Sequence, residues 1–373
     1  MSQWIKTKLG EIVILNYGKA LKAQDRNAGS IPVYSSGGLT GWHNKALINE
    51  QGIIIGRKGT VGKAYLTYGP FWCIDTAYYI LPNPSKYDFV FLFYLLKTLG
   101  LEELNEDSAV PGLNRDTAYS QEILLPSLPE QKAIASVLSS LDDKIDLLHR
   151  QNKTLESMAE TLFRQWFILD STGVSVSIDQ IIDFNPKRTL IKSQDATYLD
   201  MAGLSTVIFR ANGYYRRPFS SGTKFTKRDT LLARITPCLE NGKAAYIDFL
   251  DDNETGWGST EFIVMRPKKE IHPFISYIMC RNPDFKEYAE SCMEGSTGRQ
   301  RVNLDHLKKF NVNLPTEASL RIINELLDSF ESKLINNSKQ IDSLEKLRDT
   351  LLPKLMCGEV RVQYAEEAIA SVA

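Results

Sequence analysis

The sequence has no run of eighteen apolar residues and no basic N-terminal segment followed by an apolar core, so neither a membrane span nor a signal peptide is predicted. Its five cysteines are scattered without any CxxC pair, and its four histidines form no metal-ligand pattern. These absences predict a reduced, cytoplasmic chain without a zinc site.

Motifs for catalysis are equally scarce. Gly56–Ala64 resembles a phosphate-binding loop, but its GxxxxGK spacing is one residue too long, and Ala64 stands where Ser or Thr must hold Mg²⁺. Asn185-Pro186-Lys187 carries only the first two residues of the Asn-Pro-Pro-aromatic signature of adenine methyltransferases. Asp284-Phe285-Lys286 lacks the upstream acid of a nuclease metal site. The sequence therefore predicts no active site, no metal and no cofactor in this chain.

What the sequence does have is an internal repeat. Residues 113–167 return as residues 302–356, 189 positions later and without a gap. Leu113-Asn114-Arg115-Asp116 is matched by Val302-Asn303-Leu304-Asp305, and Pro126 is matched by Pro315. A repeat of this length predicts a duplicated architecture. It divides the 373 residues into block 1 (1–126), a first helix (127–170), block 2 (171–315), and a second helix with a C-terminal tail (316–373).

The net charge of −1 conceals an asymmetry between these segments. Block 1 carries 12 Lys and Arg against 11 Asp and Glu, and block 2 carries 20 against 17, whereas both helical segments are net acidic. A basic excess in the blocks favours a polyanionic partner, although an excess this small is also typical of a solvated surface.

Each repeated segment has apolar residues at alternating steps of three and four, which is the pattern of a coiled coil. Ser127 and Glu130 have the spacing of a capping box at the start of the first helix. The alternative is a long helix packed only on its own block, but two helices of matching length favour pairing with each other. The predicted seam comprises Leu138, Leu141, Ile145, Leu148, Asn152, Leu155, Leu162 and Trp166 in the first helix, and Leu327, Phe330, Leu334, Asn337, Ile341, Leu344, Leu351 and Leu355 in the second.

Connectivity favours an antiparallel pair. The first helix delivers the chain to block 2, so the second helix can stay packed on the first only by running back. Asn152 and Asn337 each interrupt a seam, and a twofold axis near Leu148–Asn152 would make them face each other. We hypothesise that they form a buried polar layer that fixes the register at a cost in stability. The alternative is that either side chain lies at a splayed, solvated position.

Both blocks read as mixed α/β structure. The β-rich runs are Gly10–Leu15, Gly52–Ile55 and Ala77–Leu81 in block 1, and Thr230–Ile235 and Glu261–Met265 in block 2. One helix is predicted in each block, near Tyr87–Leu101 and Pro273–Met293. Gly62-Lys63-Ala64-Tyr65 resembles Gly242-Lys243-Ala244-Ala245-Tyr246. The predicted fold class is α/β, with two globular blocks separated by two long helices in an antiparallel coiled coil and related by a pseudo-twofold axis.

Glycine-rich polar loops in both blocks suit a nucleic acid. Arg, Asn and Gln make bidentate contacts with base edges, whereas Lys, Ser and Thr favour phosphates. For any single loop the alternative is a solvated surface, but two basic loops per block favour DNA. The candidate DNA-binding residues are Ser35, Ser36, Gly37, Trp42, Arg57, Lys58, Thr60 and Lys63 in block 1, and Arg210, Asn212, Tyr214, Arg216, Arg217, Arg234, Lys243, Ser296, Thr297, Arg299, Gln300 and Arg301 in block 2.

A family resemblance rests on Leu125-Pro126-Ser127-Leu128-Pro129-Glu130-Gln131-Lys132-Ala133-Ile134 and the following Asp142-Asp143-Lys144-Ile145. These segments, with Tyr34–Gly38 and Ile54–Gly62, resemble signatures of the specificity subunit of type I restriction–modification systems. The order of block, helix, block and helix is similar along the whole chain. The second copy departs from the pattern, because Leu314-Pro315-Thr316-Glu317-Ala318-Ser319 lacks the Glu-Gln pair.

The resemblance implies that each block is a target-recognition domain that reads one half of a split site in double-stranded DNA. The helices would set the gap between the halves and dock two copies of a modification subunit. S-adenosylmethionine (SAM) and adenine methylation would belong to that subunit, and ATP and Mg²⁺ to a restriction/translocase subunit, so that this chain has no catalysis and no cofactor of its own. Two alternatives stay open: the recognition region of a self-contained methyltransferase–nuclease, and a coiled-coil scaffold that binds only proteins.

Overall fold

The computed structural model describes residues 4–104, 112–170, 172–268, 270–296 and 298–370. The chain forms two compact units: unit 1 comprises residues 1–146 and 340–373, and unit 2 comprises residues 147–339. Each unit therefore combines one block with a segment of each long helix. Within the described residues, no helix has the length and apolar character needed to cross a membrane.

The predicted fold class is confirmed, since both blocks mix helices with short strands and two helices are far longer than the rest. The α-helices are Leu9–Ile12, Phe89–Thr98, Arg115–Tyr119, Leu128–Phe163, Phe274–Arg281, Pro283–Ser291, Leu304–Leu307, Glu317–Met356 and Val362–Ala370. Short 3-10 turns lie at Ala23–Asp25, Ile178–Gln180 and Met201–Gly203, and a π-helical segment lies at Arg164–Leu169.

The described residues of unit 1 form three small sheets. A four-stranded sheet has the order Asn16–Tyr17, Ala77–Ile80, Gly52–Gly56, Ala64–Thr67, and a three-stranded sheet has the order Gly38–His43, Ile31–Ser35, Trp72–Cys73. The strands Ile5–Lys8 and Glu122–Leu125 form an antiparallel pair. Ile54, Phe71 and Cys73 are fully buried in one core cluster of this unit, where the larger two sheets meet.

Unit 2 repeats this plan with additional strands. One four-stranded sheet has the order Ile182–Phe184, Phe262–Pro267, Thr230–Ala233, Ala244–Tyr246, and the other has the order Tyr215–Pro218, Asp195–Leu199, Thr255–Gly258, Thr223–Thr226. Two strand pairs complete it: Val174–Ser177 with Asn311–Leu314, and Met293–Glu294 with Arg301–Val302. Its main core cluster extends from Phe274 and Tyr277 to Phe163 and Leu327 of the long helices.

The two blocks share a hairpin that carries their Gly-Lys-Ala segments. In block 1 the Gly56 N–H donates to the Lys63 carbonyl at 2.9 Å, and in block 2 the Ala233 N–H donates to the Lys243 carbonyl at 3.0 Å. Arg57 and Arg234 follow these strands, and their carbonyls accept from Leu113 and Val302 N–H, both at 2.8 Å. Because Leu113 and Val302 are also equivalent in the repeat, the structure makes Arg57 the counterpart of Arg234 and Lys63 the counterpart of Lys243.

Two local predictions are wrong. Gly10–Leu15 is not a strand, because Leu9–Ile12 forms a helical turn that buries Leu9 and Ile12. The predicted helix Pro273–Met293 is two helices, since the chain breaks at Asn282. The Asn282 side chain caps the second helix by accepting from Phe285 N–H at 3.1 Å, and Pro283 occupies its first position.

The long helices are irregular at equivalent positions of the repeat. The first helix changes to a π-helical segment at Arg164, and the repeat offset of 189 places Pro353 of the second helix at the same position. Proline lacks the backbone N–H that a regular α-helix requires, and π-segments also disturb the hydrogen-bond ladder. Both copies therefore depart from a regular helix just before they end.

In unit 2 the two long helices run antiparallel, since Asn152 contacts residues 337 and 338 while Leu162 lines a surface with Leu326 and Phe330. The Asn337 amide donates to the Asn152 Oδ1 at 2.9 Å and to the Gln151 Oε1 at 3.3 Å. Both asparagines are buried, and the Asn337 Oδ1 has no hydrogen-bond partner. The two amides thus share one layer, one of whose acceptors is unsatisfied.

We expect substitutions of the two asparagines to have strongly non-additive effects on the free energy of unfolding. Asn337→Leu or Asn152→Leu alone leaves a buried amide without its partner and should lower the free energy of unfolding of unit 2 by about 1–3 kcal/mol. The double substitution should be near neutral or stabilising, because both polar groups are removed together. A double-mutant cycle by urea denaturation measures the coupling, and additive losses would show that the two amides do not depend on each other.

Candidate nucleic-acid interface

In block 1 the candidate residues lie on the hairpin turn that follows the buried strand Gly52–Gly56. Gly56 has no room for a side chain, since a Cβ atom there would lie 1.9 Å from the Thr60 carbonyl oxygen. Gly62 N–H donates to the Gly56 carbonyl at 2.9 Å and closes the turn. The turn therefore presents Lys58, Thr60 and Lys63, all of which are exposed.

A second loop lies against this turn. Ser36 N–H donates to the Thr76 hydroxyl at 3.3 Å, and the Arg57 and Lys58 N–H groups donate to the Thr76 carbonyl at 2.9 and 3.0 Å. Thr76 thus connects the loop Ser35–Gly37 to the turn that carries Arg57. Ser36 itself is buried, so its hydroxyl offers little to a ligand. Seven of the eight block 1 candidates belong to these two adjoining loops.

Trp42 is the exception. It lies near the far end of the strand Gly38–His43, opposite Pro32, and is separated from the turn by several residues. Its side chain is 53% exposed. The structure therefore does not bring Trp42 to the two loops, and it stays a separate candidate.

In block 2 several candidates already have internal partners. Arg210 forms an ion pair with the buried Asp248 at 2.8 Å. Arg216 pairs with Asp195 at 2.8 Å, and Arg301 pairs with Glu261 at 2.7 Å. Exposed pairs of this kind exchange easily with solvent or a ligand, whereas the Arg210 pair is enclosed. Arg210 is consequently better explained as a structural residue than as a DNA contact.

The candidate residues on the hairpin of block 2 also form hydrogen bonds within the chain. Arg234 donates to the Val302 carbonyl at 3.2 Å, and the Lys243 ammonium donates to the Met201 carbonyl at 3.0 Å. Their block 1 counterparts Arg57 and Lys63 make no such bonds within the described residues. The equivalent hairpins therefore present different amounts of free positive charge.

The exposed candidates of block 2 fall into two groups. Arg217 lies over the rings of Tyr198 and Trp257, at 5.1 and 5.6 Å from their centroids. Tyr214 stacks on Phe249 with centroids 3.9 Å apart, next to the exposed Asn212. The second group, on the segment before Val302, comprises the exposed Ser296 and Arg299 and the half-buried Gln300, while Thr297 lies outside the described residues.

Two residues near the block 1 loops were not among the sequence candidates. The Arg57 guanidinium lies 5.2 Å from the centroid of the Tyr17 ring, and the Arg115 guanidinium lies 5.4 Å from the same ring. Arg115 belongs to the repeated segment that starts at Leu113, and the repeat indicates only that its position is equivalent to that of Leu304. Tyr17 had no sequence signal.

A tyrosine–carboxylate pair seats block 1 on the helices of unit 1. The Tyr94 hydroxyl donates to Asp142 Oδ2 of the first long helix at 2.7 Å, and Arg348 of the second long helix donates to Asp142 Oδ1 at 2.8 Å. Gln131 adds a second attachment: its amide oxygen accepts from Asp88 N–H at 2.8 Å, and its NH₂ group donates to the Pro126 carbonyl at 2.9 Å. These bonds give the Gln of the Glu-Gln motif a structural role, and its side chain is buried.

The second copy replaces that glutamine with Leu320 and attaches block 2 one turn later. The Asn324 side chain accepts from His272 N–H at 3.2 Å and donates to the Glu270 carbonyl at 3.0 Å. The missing Glu-Gln pair therefore does not prevent the second helix from beginning at Glu317 or from holding its block.

Two buried tyrosines attach block 2 to the long helices of unit 2, one tyrosine to each helix. The Tyr277 hydroxyl donates to Glu156 Oε2 at 2.8 Å, and the Tyr246 hydroxyl donates to Glu331 Oε1 at 2.6 Å. Glu331 occupies the repeat position of Asp142, so each copy of the repeat uses this carboxylate to hold a tyrosine. Both tyrosine rings pack against Phe274, with centroids 5.3 and 5.1 Å away.

Glu331 belongs to a cluster whose atoms could in principle ligate a metal. His272, Asp328 and Glu331 each place one ligand atom within 4.8 Å of the others. However, an Arg228 terminal nitrogen lies 2.6 Å from Glu331 Oε2 and 3.1 Å from His272 Nε2. A guanidinium already supplies the positive charge at the point where these groups converge, so we interpret the cluster as an ion-pair seat.

Glu156 makes the stability of unit 2 depend on pH. Burial raises the pKa of its carboxyl to about 7, although the Tyr277 hydroxyl and the Arg281 guanidinium oppose the shift. Because the folded form binds the proton more tightly than the unfolded chain, this contribution to stability is complete below about pH 4.5 and is lost as the pH rises through about 7.

We expect Glu156→Gln to remove this dependence while keeping an acceptor for the Tyr277 hydroxyl. Relative to the unmodified chain, the variant should gain up to about 3 kcal/mol in the free energy of unfolding of unit 2 between pH 5 and pH 8. Urea denaturation at both pH values measures the difference. Parallel pH profiles for the two proteins would mean that Glu156 ionises normally in the fold.

The paired helices of unit 2 expose an apolar surface that we call the helix groove. Met158 is 48% exposed and Leu326 is 39% exposed, and the half-buried Leu162 and Phe330 lie between them. Thr154, Ser157 and Thr161 form its polar margin. A further apolar surface with Leu147 and Leu155 shares Thr154 with the groove. Contiguous apolar surface of this kind is a candidate interaction site.

Comparison with known proteins agrees with the duplicated architecture. The family model described as "Type I restriction modification DNA specificity domain" matches twice, at residues 1–157 and 172–346. The chain is 27% identical over 319 residues to the type I restriction enzyme MjaIX specificity subunit of Methanocaldococcus jannaschii, covering 73% of this chain and 69% of that protein.

Two further relatives differ in coverage. The chain is 21% identical to the type I restriction enzyme HindI specificity subunit of Haemophilus influenzae, covering 78% of this chain and 81% of the relative. It spans only 34% of the EcoEI specificity subunit of Escherichia coli, at 26% identity over 204 residues. The fold is similar to the crystal structure of a type I restriction–modification S subunit from M. genitalium, with a TM-score of 0.64, 19% identity, and coverage of 95% and 96% of the two chains.

Proposed function

The chain belongs to the family of type I restriction modification DNA specificity domains, and from this premise we propose that it is the non-catalytic, DNA-reading subunit of a type I restriction–modification complex. Each block reads one half of a bipartite site in double-stranded DNA. The observation that carries this proposal is the convergence of the Ser35–Gly37 loop and the Arg57–Lys63 turn, which are joined through Thr76. Lys58, Thr60 and Lys63 are exposed there in a form suited to phosphate.

In this proposal the helices hold the two recognition blocks and dock two copies of a modification subunit, which carries SAM and methylates adenine. The helix groove supports a docking role, because Met158 and Leu326 are too exposed to serve the fold. A restriction/translocase subunit that uses ATP and Mg²⁺ would complete the complex. The proposed boundaries are 1–126 and 171–315 for the recognition domains, with residues 127–170 and 316–373 for the helices and tail.

The direct test is to co-express the chain with a modification subunit of a type I system and to map methylated adenines across the host genome. We expect one motif with two short specified halves and a constant gap. A chain that methylates DNA without the partner would be a self-contained methyltransferase. A soluble complex that adds no methylation and does not bind duplex DNA would be a protein-only scaffold.

The modular part of the proposal has a sharper test. Replacing residues 171–315 with the second block of a relative should change one half of the methylated motif and leave the other half and the gap unchanged. The matched exchange of residues 1–126 should change the opposite half. A single exchange that altered both halves would contradict independent reading by the blocks.

A further inference from the structure

Block 1 contains a cluster of arginines and tyrosines beside the proposed DNA-binding loops. Most of its residues lie outside those loops and have no role in the proposed function so far. We call it the arginine–tyrosine cluster; it comprises Arg57, Arg115, Tyr17, Tyr78 and Tyr119. The Arg57 guanidinium lies 5.2 and 5.8 Å from the Tyr17 and Tyr78 centroids, and the Arg115 guanidinium lies 5.4 and 5.9 Å from the Tyr17 and Tyr119 centroids. Tyr17 therefore has a cation at close range from two separate chain segments.

The fold brings these segments together through main-chain contacts. Tyr17 and Tyr78 are register partners on neighbouring strands, and their rings meet edge to face at 5.1 Å. The Arg57 carbonyl accepts from Leu113 N–H, and Arg115 begins the short helix that Asn114 caps. Both arginines are consequently fixed by backbone structure and by aromatic faces, and their side chains have little freedom to move away.

The charge of the cluster is not compensated within the part of block 1 that the structure describes. Neither Arg57 nor Arg115 forms an ion pair there, and the Nε atom of each is buried without a hydrogen-bond partner. Aromatic faces stabilise a guanidinium by only about 0.5–2 kcal/mol and do not neutralise it. Tyr17 is 51% exposed, so the cluster reaches the surface. Two preorganised cations at a surface favour the binding of an anion.

The equivalent place in block 2 has a carboxylate near its arginine. Arg57 corresponds to Arg234, which donates to the Val302 carbonyl, and the pKa of the adjacent Glu261 is lowered mainly by its hydrogen bond to Arg301 and also by Arg234. Arg115 corresponds to Leu304 in the repeat, and the strand register replaces Tyr78 with Ile263. Arg234 Nε is also buried without a hydrogen-bond partner, so the difference between the blocks is the carboxylate of Glu261 near Arg234 and the loss of the second arginine and of the tyrosine.

We propose that Arg57 and Arg115 bind DNA phosphates at the half-site read by block 1, with Tyr17 holding both guanidiniums in place. The assignment rests on the proposed function and deepens it. Phosphate is favoured over a base edge because the neighbouring exposed groups are Lys58, Gly59 and Thr60, which suit the DNA backbone and carry no side chain able to read a base pair in two places.

The test measures binding of the full chain to a fluorescent duplex that contains the mapped motif and to a duplex of scrambled sequence, at several salt concentrations. Arg57→Ala and Arg115→Ala should each weaken binding to both duplexes and make the slope of log K against log salt shallower by about 0.9. Arg57→Lys and Arg115→Lys should retain most of the slope, because the charge is kept. Lys22→Ala, an exposed cation elsewhere in block 1, is the matched control for a change in net charge.

The outcomes separate this inference from the proposed function. Salt-dependent binding by the unmodified chain with unchanged slopes in both alanine variants would overturn the phosphate assignment and leave DNA reading intact. A loss confined to the motif duplex would also overturn it, in favour of a base contact. Absence of duplex binding by the unmodified chain would refute the proposed function itself. Equal loss of slope in the Lys variants would show that the arginines act through the fold, and hydrogen exchange of residues 112–119 would detect that change directly.

Discussion

Arg281→Met should destabilise unit 2 by about 3–5 kcal/mol, as expected when one member of a part-buried hydrogen-bonded charge network is removed. The Arg281 Nε donates to the Tyr277 hydroxyl at 2.8 Å, and Tyr277 donates in turn to Glu156. The two terminal nitrogens donate to main-chain carbonyls of Thr206, Gly242, Ser205 and Ile208 at 2.8–3.2 Å. Methionine fills a similar volume but satisfies none of these acceptors, and an acceptor that stays buried costs about 1–3 kcal/mol when it is left unpaired. Water can replace the arginine at the exposed Thr206 carbonyl.

The loss of stability should appear first as local opening near Arg281 and then in the global unfolding of unit 2. Arg281 joins the chain around residues 205–208 to the turn at Gly242, which precedes Lys243 of the candidate DNA-binding hairpin. Hydrogen exchange should therefore rise first at residues 205–210 and 242–246, and urea denaturation should give the full change in free energy. Lys192→Met, at an exposed position of the same unit, is the control and should stay within about 0.5 kcal/mol of the unmodified chain. An unchanged denaturation midpoint for Arg281→Met would show that these carbonyls find water instead.

The long helices were predictable because their signal is local and periodic. The heptad pattern required no knowledge of the rest of the chain, and the observed helices Leu128–Phe163 and Glu317–Met356 lie within the predicted segments. The repeat offset places Asn337 at the position of Leu148, one helical turn from Asn152. An antiparallel pair with its axis at this level therefore predicts the observed hydrogen bond between the two asparagines. Periodicity over many residues leaves few alternative structures.

Short elements were harder, because tertiary contacts decide them. Gly10–Leu15 has the apolar character of a strand, yet Leu9–Ile12 is a helical turn packed beside Tyr119, where even a Cβ at Gly10 would approach within 2.7 Å. The break at Asn282-Pro283 had a local signal, since Asn-Pro favours a turn and proline favours the start of a helix. The apolar pattern continues across this break, so periodicity alone favours one helix.

The contacts that attach the blocks to the long helices could not be predicted from the sequence. Tyr277 and Glu156 are separated by 121 residues, and Tyr246 and Glu331 by 85, so no local pattern joins them. The repeat does align Asp142 with Glu331, but alignment of two acids on a helix indicates only a common position. Similarly, Arg57 was a candidate from its loop, whereas its contact with Tyr17 depends on strand register. Sequence reasoning therefore identified cations without showing which of them the fold neutralises.

Docking of the modification subunit should be abolished at one of its two proposed positions by Met158→Asp combined with Leu326→Asp. Both side chains line the helix groove, and both are exposed enough that the chain itself should fold normally. In a complex they would be covered, and an unpaired carboxylate that loses its water without gaining a partner costs several kcal/mol. Two such groups should weaken that contact by more than about 100-fold, since each 1.4 kcal/mol is a factor of ten.

The measurement is the mass of the co-purified complex by light scattering. The groove lies within unit 2, so the double variant should retain one modification subunit where we propose that the unmodified chain binds two. His149→Asp is the matched control, because residue 149 is exposed and lies nine positions from Met158, half a turn out of phase on the same helix. Two retained subunits would exclude the groove from the interface. Loss of both would mean that the two subunits bind cooperatively and not as independent copies on a duplicated chain.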